Sequence, residues 1–143
     1  MKKLLKLLVP CFALLIIFGV NSNSVSAKKK IETDPDKVVV IIFYDDHCSK
    51  IWCPEIKKKL QICKEKYGDK IAIHEIDVTS SKRNEAEIQA KKLGVSAMLF
   101  DAPDYVPMVG VVSKRRNWSK TIIGAKGTIE KYSKAIDDAL AKD

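Results

Sequence analysis

The sequence predicts an α/β fold over residues 38–143, built on a mixed four-stranded sheet with helices on both faces. Short apolar runs rich in β-branched residues, which are typical of buried strands, alternate with longer segments whose apolar residues recur at helical spacing. The order is strand–helix twice, then two strands and a helix. Strand–helix–strand units give parallel pairs, whereas the short turn between the last two strands gives an antiparallel pair.

The first strand and helix lie within residues 38–67. Residues 38–43 are all apolar and mostly β-branched, which predicts a buried strand. We expect a helix over 53–67, because Pro54 suits a first helical turn and Gly68 suits a helix C-terminus. The apolar residues of this helix fall on one core-facing stripe, namely Ile56, Leu60, Cys63 and Tyr67.

The later elements follow the same patterns. We expect an irregular segment between Gly94 and residue 106, and a tight turn over 114–117. The predicted regular elements are a strand over 71–78, a helix over 80–93, strands over 106–112 and 118–123, and a helix over 128–141.

Residues 1–27 are expected to form a secretory signal peptide. Lysines open the segment, an apolar stretch follows over 7–20, and Val25-Ser26-Ala27 fits the small-x-small cleavage rule. The mature chain would then begin near Lys28, which N-terminal mass analysis of exported protein tests. The alternative is that the apolar stretch stays uncleaved as an anchor.

Cys48 and Cys53 flank the turn between the first strand and the first helix. A thiol at a helix N-terminus lies against free N–H groups and the positive end of the dipole, and both favour the thiolate. Two thiols on one short loop can also close a disulfide locally. The placement therefore predicts redox chemistry, while a structural disulfide and a metal site stay open as alternatives.

Cys63 is the third cysteine of the expected mature chain, since Cys11 leaves with the signal peptide. Its place in the apolar stripe predicts a buried core residue, and the alternative is a thiol that resolves mixed disulfides. Disulfides form and persist outside the cytoplasm. Because three is an odd number, one thiol stays free or pairs with another molecule.

The order of these motifs resembles the thioredoxin family over nearly all of residues 38–140. The resemblance rests on the distance from the first strand to Cys48 and on Val106-Pro107 ahead of an apolar strand. Two further stretches contribute to it, at residues 90–95 and 122–124. It implies a thioredoxin-like fold.

The same resemblance implies an exported thiol–disulfide oxidoreductase that acts on protein thiols and disulfides without a cofactor or metal. Cys48 and Cys53 would be catalytic. In this family the proline is cis and faces the cysteines, and the adjacent backbone pairs with the substrate. Val106 and Pro107 would therefore bind the substrate, and Trp52 would shape the partner contact. We expect Cys48 to be the nucleophile, and the reverse assignment stays open.

The sequence also departs from the family. Four residues separate the cysteines instead of the usual two, and the Cys-x4-Cys site is therefore atypical. Ile42 stands where the family carries a buried acid, so proton transfer would need another route. A segment within 96–105 looks inserted before Pro107. The site can also be aligned with the family in a second way, called here the Trp-Cys-Pro register. In it, Trp52-Cys53-Pro54 resembles the Trp-Cys-Pro-x-Cys motif of exported thioredoxin-like proteins, with Ile56 in place of the second cysteine.

A further resemblance supports the alternative function. His47-Cys48 and Cys53-Pro54 are similar to the copper-delivering Sco proteins, which share the fold and carry a Cys-x-x-x-Cys-Pro pattern. Two thiolates and an imidazole suit Cu(I). The runner-up is therefore a non-catalytic binding module that holds Cu(I) or a partner protein. The chain has only two histidines for such a site, His47 and His74.

The charge pattern argues against a nucleic-acid partner. Loss of Lys2, Lys3 and Lys6, with no acid, would lower the formal net charge from +8 to +5. The remaining basic runs have no interleaved aromatic residues and are typical of solvated surfaces. We expect a monomer in the periplasm, cell envelope or extracellular space, without a membrane span after cleavage, and a polar linker over 28–37.

Overall fold

The computed structural model describes residues 35–50 and 52–143. The expected signal peptide over 1–27 lies outside the described residues, as does most of the expected linker over 28–37. Among the described residues, no helix is both long and apolar enough to cross a membrane.

The predicted mixed sheet is confirmed. The described part of the chain contains four strands, β1 (Val38–Tyr44), β2 (Ile71–Asp77), β3 (Met108–Val112) and β4 (Ser119–Ile123). Their order across the sheet is β2-β1-β3-β4. β1 pairs with β2 in parallel and with β3 antiparallel, and β4 pairs antiparallel with β3. The strand ends differ from the predicted ones by one or two residues.

Four α-helices of the described chain cover the sheet, α1 (Cys53–Tyr67), α2 (Arg83–Leu93), α3 (Ser96–Tyr105) and α4 (Ile129–Leu140). α1 and α4 pack on one face with Val38, Val40 and Ile42. α2 and α3 pack on the other face with alternate residues of β1. Because both sides of β1 are covered, its continuous apolar run is buried, as predicted.

The segment after Gly94 is a helix, α3, and the prediction of an irregular segment there is wrong. Met98, Leu99 and Ala102 recur at helical spacing and are buried in the core beside α2. The helix is short, and its N-cap residue, Val95, makes no side-chain hydrogen bond to it. Since a short uncapped helix leaves little local signal, its tertiary packing determines the structure.

Candidate functional site

Cys48 and Cys53 lie at the carboxyl end of the central strand β1. Cys48 opens a short 3₁₀ turn over Cys48–Lys50, and Cys53 is the first residue of α1. The Trp52 N–H donates to the Cys48 carbonyl over 3.3 Å, and the Ile56 N–H donates to the Trp52 carbonyl over 3.2 Å. These bonds join Trp52 to both the 3₁₀ turn and the first turn of α1, where Pro54 lies as expected.

The two thiols differ in their access to solvent. Cys48 is partly exposed, and its N–H donates to Asp45 Oδ1 over 2.7 Å. Cys53 is only 3% exposed. Both are free thiols in the structure. A partner disulfide can therefore reach Cys48 more easily than Cys53.

The surroundings of both thiols oppose ionisation. Burial, followed by the Asp45 carboxylate, raises the pKa of Cys48 to about 11. Burial also raises the pKa of Cys53, against the opposing charge of Lys57. These directions are opposite to the thiolate stabilisation expected at a helix N-terminus. Burial removes water from the charged form, and it is the largest cause of both shifts.

Val106 and Pro107 lie near the start of α1. The peptide bond between them is cis, as the family resemblance implied. The Gly124 N–H donates to the Pro107 carbonyl over 2.6 Å. A Cβ atom on Gly124 would lie 3.0 Å from Pro107 Cγ and 2.5 Å from Ile56 Cδ1. Because Ile56 belongs to the first turn after Cys53, Pro107 lies beside the end of α1 that carries this cysteine.

A groove next to the cysteine loop has a volume of about 200 Å³. It combines residues that precede Cys48, residues that follow β2, and the residue before the cis proline. They are Asp45, Asp46, His47, Val78, Thr79, Ser80 and Val106. Trp52, with 44% of its surface exposed, is available for contact with another molecule.

His47 contacts carboxylates in this loop. Its Nδ1 lies 2.9 Å from Asp46 Oδ1 and 4.0 Å from Asp45 Oδ2, and its side chain is 89% exposed. These three residues are the single group of three potential metal ligands found within residues 35–50 and 52–143, and neither Cys48 nor Cys53 belongs to it. The described residues therefore do not assemble the two thiols and an imidazole that a Sco-like Cu(I) site would need.

Cys63 lies in the core between α1 and α4, and its predicted burial is confirmed. It is 1% exposed, and its Sγ lies 3.9 Å from Ser133 Oγ. Burial raises the pKa of this thiol as well. A buried thiol surrounded by core residues is typical of a packing role.

Three charged residues near the thiols were not predicted as site residues from the sequence. They are Asp45, Lys57 and Glu75. Asp45 and Lys57 lie three residues before Cys48 and four residues after Cys53, so their spacing could have indicated them. Glu75 lies in β2, where it pairs with Ile42. Its approach to the site depends on strand register, which no local pattern reveals.

Comparison with known proteins supports the fold. No protein-family model and no curated protein matches this chain. Its structure is similar to that of chloroplastic thioredoxin z, at 14% identity over 74% of this chain and 80% of that chain, with a TM-score of 0.51. It is also similar to a DsbF homologue from Corynebacterium diphtheriae, at 25% identity over 72% of each chain, with a TM-score of 0.50. With the sheet order and the covered faces, these similarities show that the domain from β1 to α4 has a thioredoxin-like fold.

Proposed function

We propose that the protein is a thiol–disulfide oxidoreductase that exchanges disulfides with partner proteins through Cys48 and Cys53. One observation carries the proposal. Two free thiols, one accessible and one buried, lie on the β1–α1 connection of a thioredoxin-like fold. The position of Pro107 beside the start of α1 supports it further.

The reaction consists of two thiol exchanges. The Cys48 thiolate attacks one sulfur of a partner disulfide, and the other partner sulfur leaves as a thiolate. The Cys53 thiolate then attacks the Cys48 sulfur of this mixed disulfide. The second partner sulfur leaves, and a Cys48–Cys53 disulfide remains. The partner gains the two electrons that the protein dithiol loses, and a dithiol donor must reduce the protein again.

Substrate binding is proposed for Trp52, Val106 and Pro107. Trp52 is exposed one residue before Cys53, and Val106 lines the groove beside the cysteine loop. A partner chain that lies in this groove would bring its disulfide to the accessible Cys48. We also propose that the chain is exported, on the basis of the signal-peptide pattern in residues 1–27. A monomer is proposed as well.

A non-catalytic binding module is the second candidate. It is favoured by the raised pKa of both Cys48 and Cys53, because the thiolate is the reactive form and a raised pKa lowers its fraction. A partner protein fits this alternative better than Cu(I), since the thiols share no three-ligand group with a histidine within the described residues.

Trapping of mixed disulfides separates these functions. In Cys53→Ser the second exchange is blocked, so mixed disulfides between Cys48 and partner proteins should accumulate. Cys48→Ser should trap no partner and should be inactive. Cys63→Ser is the matched control, because it removes a buried cysteine of the same helix and should leave the reduction of a model disulfide unchanged.

Two results would contradict the proposal in different ways. Trapping by Cys48→Ser alone would move the nucleophile to Cys53 and favour the Trp-Cys-Pro register. If neither variant traps a partner and the wild-type protein exchanges no model disulfide, the oxidoreductase proposal is wrong and the binding module replaces it.

A further inference from the structure

A charged pair lies beside the helix that begins with Cys53. Lys57 Nζ is 2.7 Å from Glu75 Oε2, and the two side chains are 47% and 42% exposed. We propose that Lys57 is the positioning residue that stabilises the Cys53 thiolate, and that Glu75 holds its ammonium group in place. This inference rests on the proposed function and deepens it.

Helix geometry brings Lys57 to Cys53. The two residues are four positions apart in α1 and therefore share one face of the helix. Side chains in a helix lean toward its N-terminus, so Lys57 covers the turn that begins with Cys53. Its Nζ also lies 5.8 Å from the centre of the Tyr44 ring. Since Tyr44 ends β1, the ammonium group lies at the end of the sheet that carries the cysteine loop.

Sheet register brings Glu75 to the same place. β2 lies parallel to β1, and Glu75 pairs with Ile42, the position where the resembled family carries a buried acid. Ile42, Lys57 and Glu75 line one open groove with a volume of about 240 Å³. The carboxylate that Ile42 lacks is thus supplied from the neighbouring strand.

The charged groups around Cys53 have opposite effects on its pKa. Lys57 is the cation that lowers its pKa, whereas Glu75 of β2 and Asp45 of the cysteine loop raise it. Tyr44 and Asp77, which pair at the ends of β1 and β2, and the Cys48 thiol are further titratable groups at this end of the sheet, as are Lys82 and His47. Lys57 therefore opposes the unfavourable burial of the thiolate.

The affected step is the release of the partner. Cys53 loses its proton to water, and its thiolate forms a bond with the Cys48 sulfur. The bond between Cys48 and the partner breaks, and the partner sulfur leaves with the electron pair and takes up a proton. The dithiol of the protein is oxidised and the partner disulfide is reduced, so electrons and protons balance. A lower pKa of Cys53 makes more of the attacking thiolate available.

The test measures the Cys53 thiolate directly. In mature protein that carries Cys48→Ser and Cys63→Ser, Cys53 is the sole remaining thiol, and the NMR chemical shift of its isotope-labelled Cβ is followed against pH. Lys57→Gln should move the midpoint upward, so that the thiolate fraction below the midpoint falls roughly three- to tenfold. Lys58→Gln is the matched control, because it removes the same charge from the adjacent residue. Lys57→Arg should restore the original midpoint.

Two further measurements separate an electrostatic effect from a structural one. The difference between Lys57→Gln and Lys58→Gln should shrink at high salt, because the Debye length falls to about 3 Å at about 1 M. In a Glu75→Gln background, Lys57→Gln should shift the midpoint less, because the ammonium group is no longer held. Equal midpoints for Lys57→Gln and Lys58→Gln would overturn the inference, even in an active oxidoreductase.

The inference and the proposed function can fail independently. The NMR titration requires no turnover, so a shift in a protein that exchanges no disulfides would support the inference while the proposed function fails. If both hold, Lys57→Gln with intact cysteines should resolve the mixed disulfide with a partner more slowly than Lys58→Gln does.

Discussion

Asp45 acts on Cys48 in two ways. Its Oδ1 accepts the Cys48 N–H over 2.7 Å, which fixes the start of the 3₁₀ turn. Its carboxylate also raises the pKa of the Cys48 thiol, after the larger effect of burial. The residue that orders the loop therefore also suppresses the thiolate of the proposed nucleophile.

Asp45→Asn should make Cys48 more reactive near neutral pH. The amide oxygen can still accept the Cys48 N–H, but the negative charge is lost. The pKa of Cys48 should fall below its value of about 11, so the thiolate should form at lower pH. The pH–rate profile of Cys48 alkylation, followed by mass spectrometry, measures this shift.

Asp46→Asn is the control for Asp45→Asn. It removes the same charge from an exposed neighbour, whereas Asp45 is the carboxylate that raises the pKa of Cys48 by its side-chain hydrogen bond and its charge. Its alkylation profile should match that of the wild-type protein. An unchanged midpoint in Asp45→Asn would contradict the role given to the carboxylate.

At the scale of elements, three segments meet at Gly124. It follows β4, its N–H donates to Pro107 just before β3, and Ile56 of α1 packs against it. A Cβ atom there would lie 2.6 Å from the Pro107 carbonyl oxygen and 2.5 Å from Ile56 Cδ1. The absence of a side chain lets these elements approach one another at the candidate site.

Gly124→Ala should lower the free energy of unfolding by about 1–3 kcal/mol, because the added methyl group overpacks a site bounded by backbone. Gly110→Ala is the control, since its Cβ atom would lie 2.6 Å from Met98 Sδ, which belongs to a flexible side chain that can move. Denaturant unfolding measures both variants. A larger loss in Gly110→Ala would contradict this account of the packing.

At the scale of the whole molecule, Arg116 joins segments far apart in the chain. Its Nε donates to the Leu93 carbonyl over 3.0 Å, and its Nη1 donates to the carbonyls of Ser113 and Lys37 over 2.8 and 3.4 Å. It thus connects the end of α2, the β3–β4 turn and the residue before β1. It adopts this position with a φ of 59°.

Arg116→Lys should lower the free energy of unfolding by about 1–3 kcal/mol. The reason is that a single ammonium group cannot reproduce the planar guanidinium group, which donates hydrogen bonds to three carbonyls. Neither residue is glycine, so the cost of the positive φ is unchanged. Arg115→Lys, at the exposed neighbouring position, should change stability little. Equal denaturation midpoints for the two variants would contradict this role of Arg116.

Much of the fold could be predicted because it depends on local patterns. The apolar run of β1 and the stripe from Ile56 to Tyr67 indicated a buried strand and a helix, and α1 begins and ends where the sequence predicted. α3 could not be predicted, because its short segment becomes helical by packing Met98, Leu99 and Ala102 into the core.

By itself, the sequence determined the order of the four strands and of α1, α2 and α4, and it placed Cys48 just before α1 and Cys53 at its start, since these features follow from neighbouring residues. The tertiary structure decided the properties of these thiols. Strand register brings Glu75 to Lys57, and burial raises the pKa of both cysteines against the expected effect of the helix dipole. The reason is that solvation and electrostatic fields depend on all the groups that surround a thiol in space, most of which are distant in the chain.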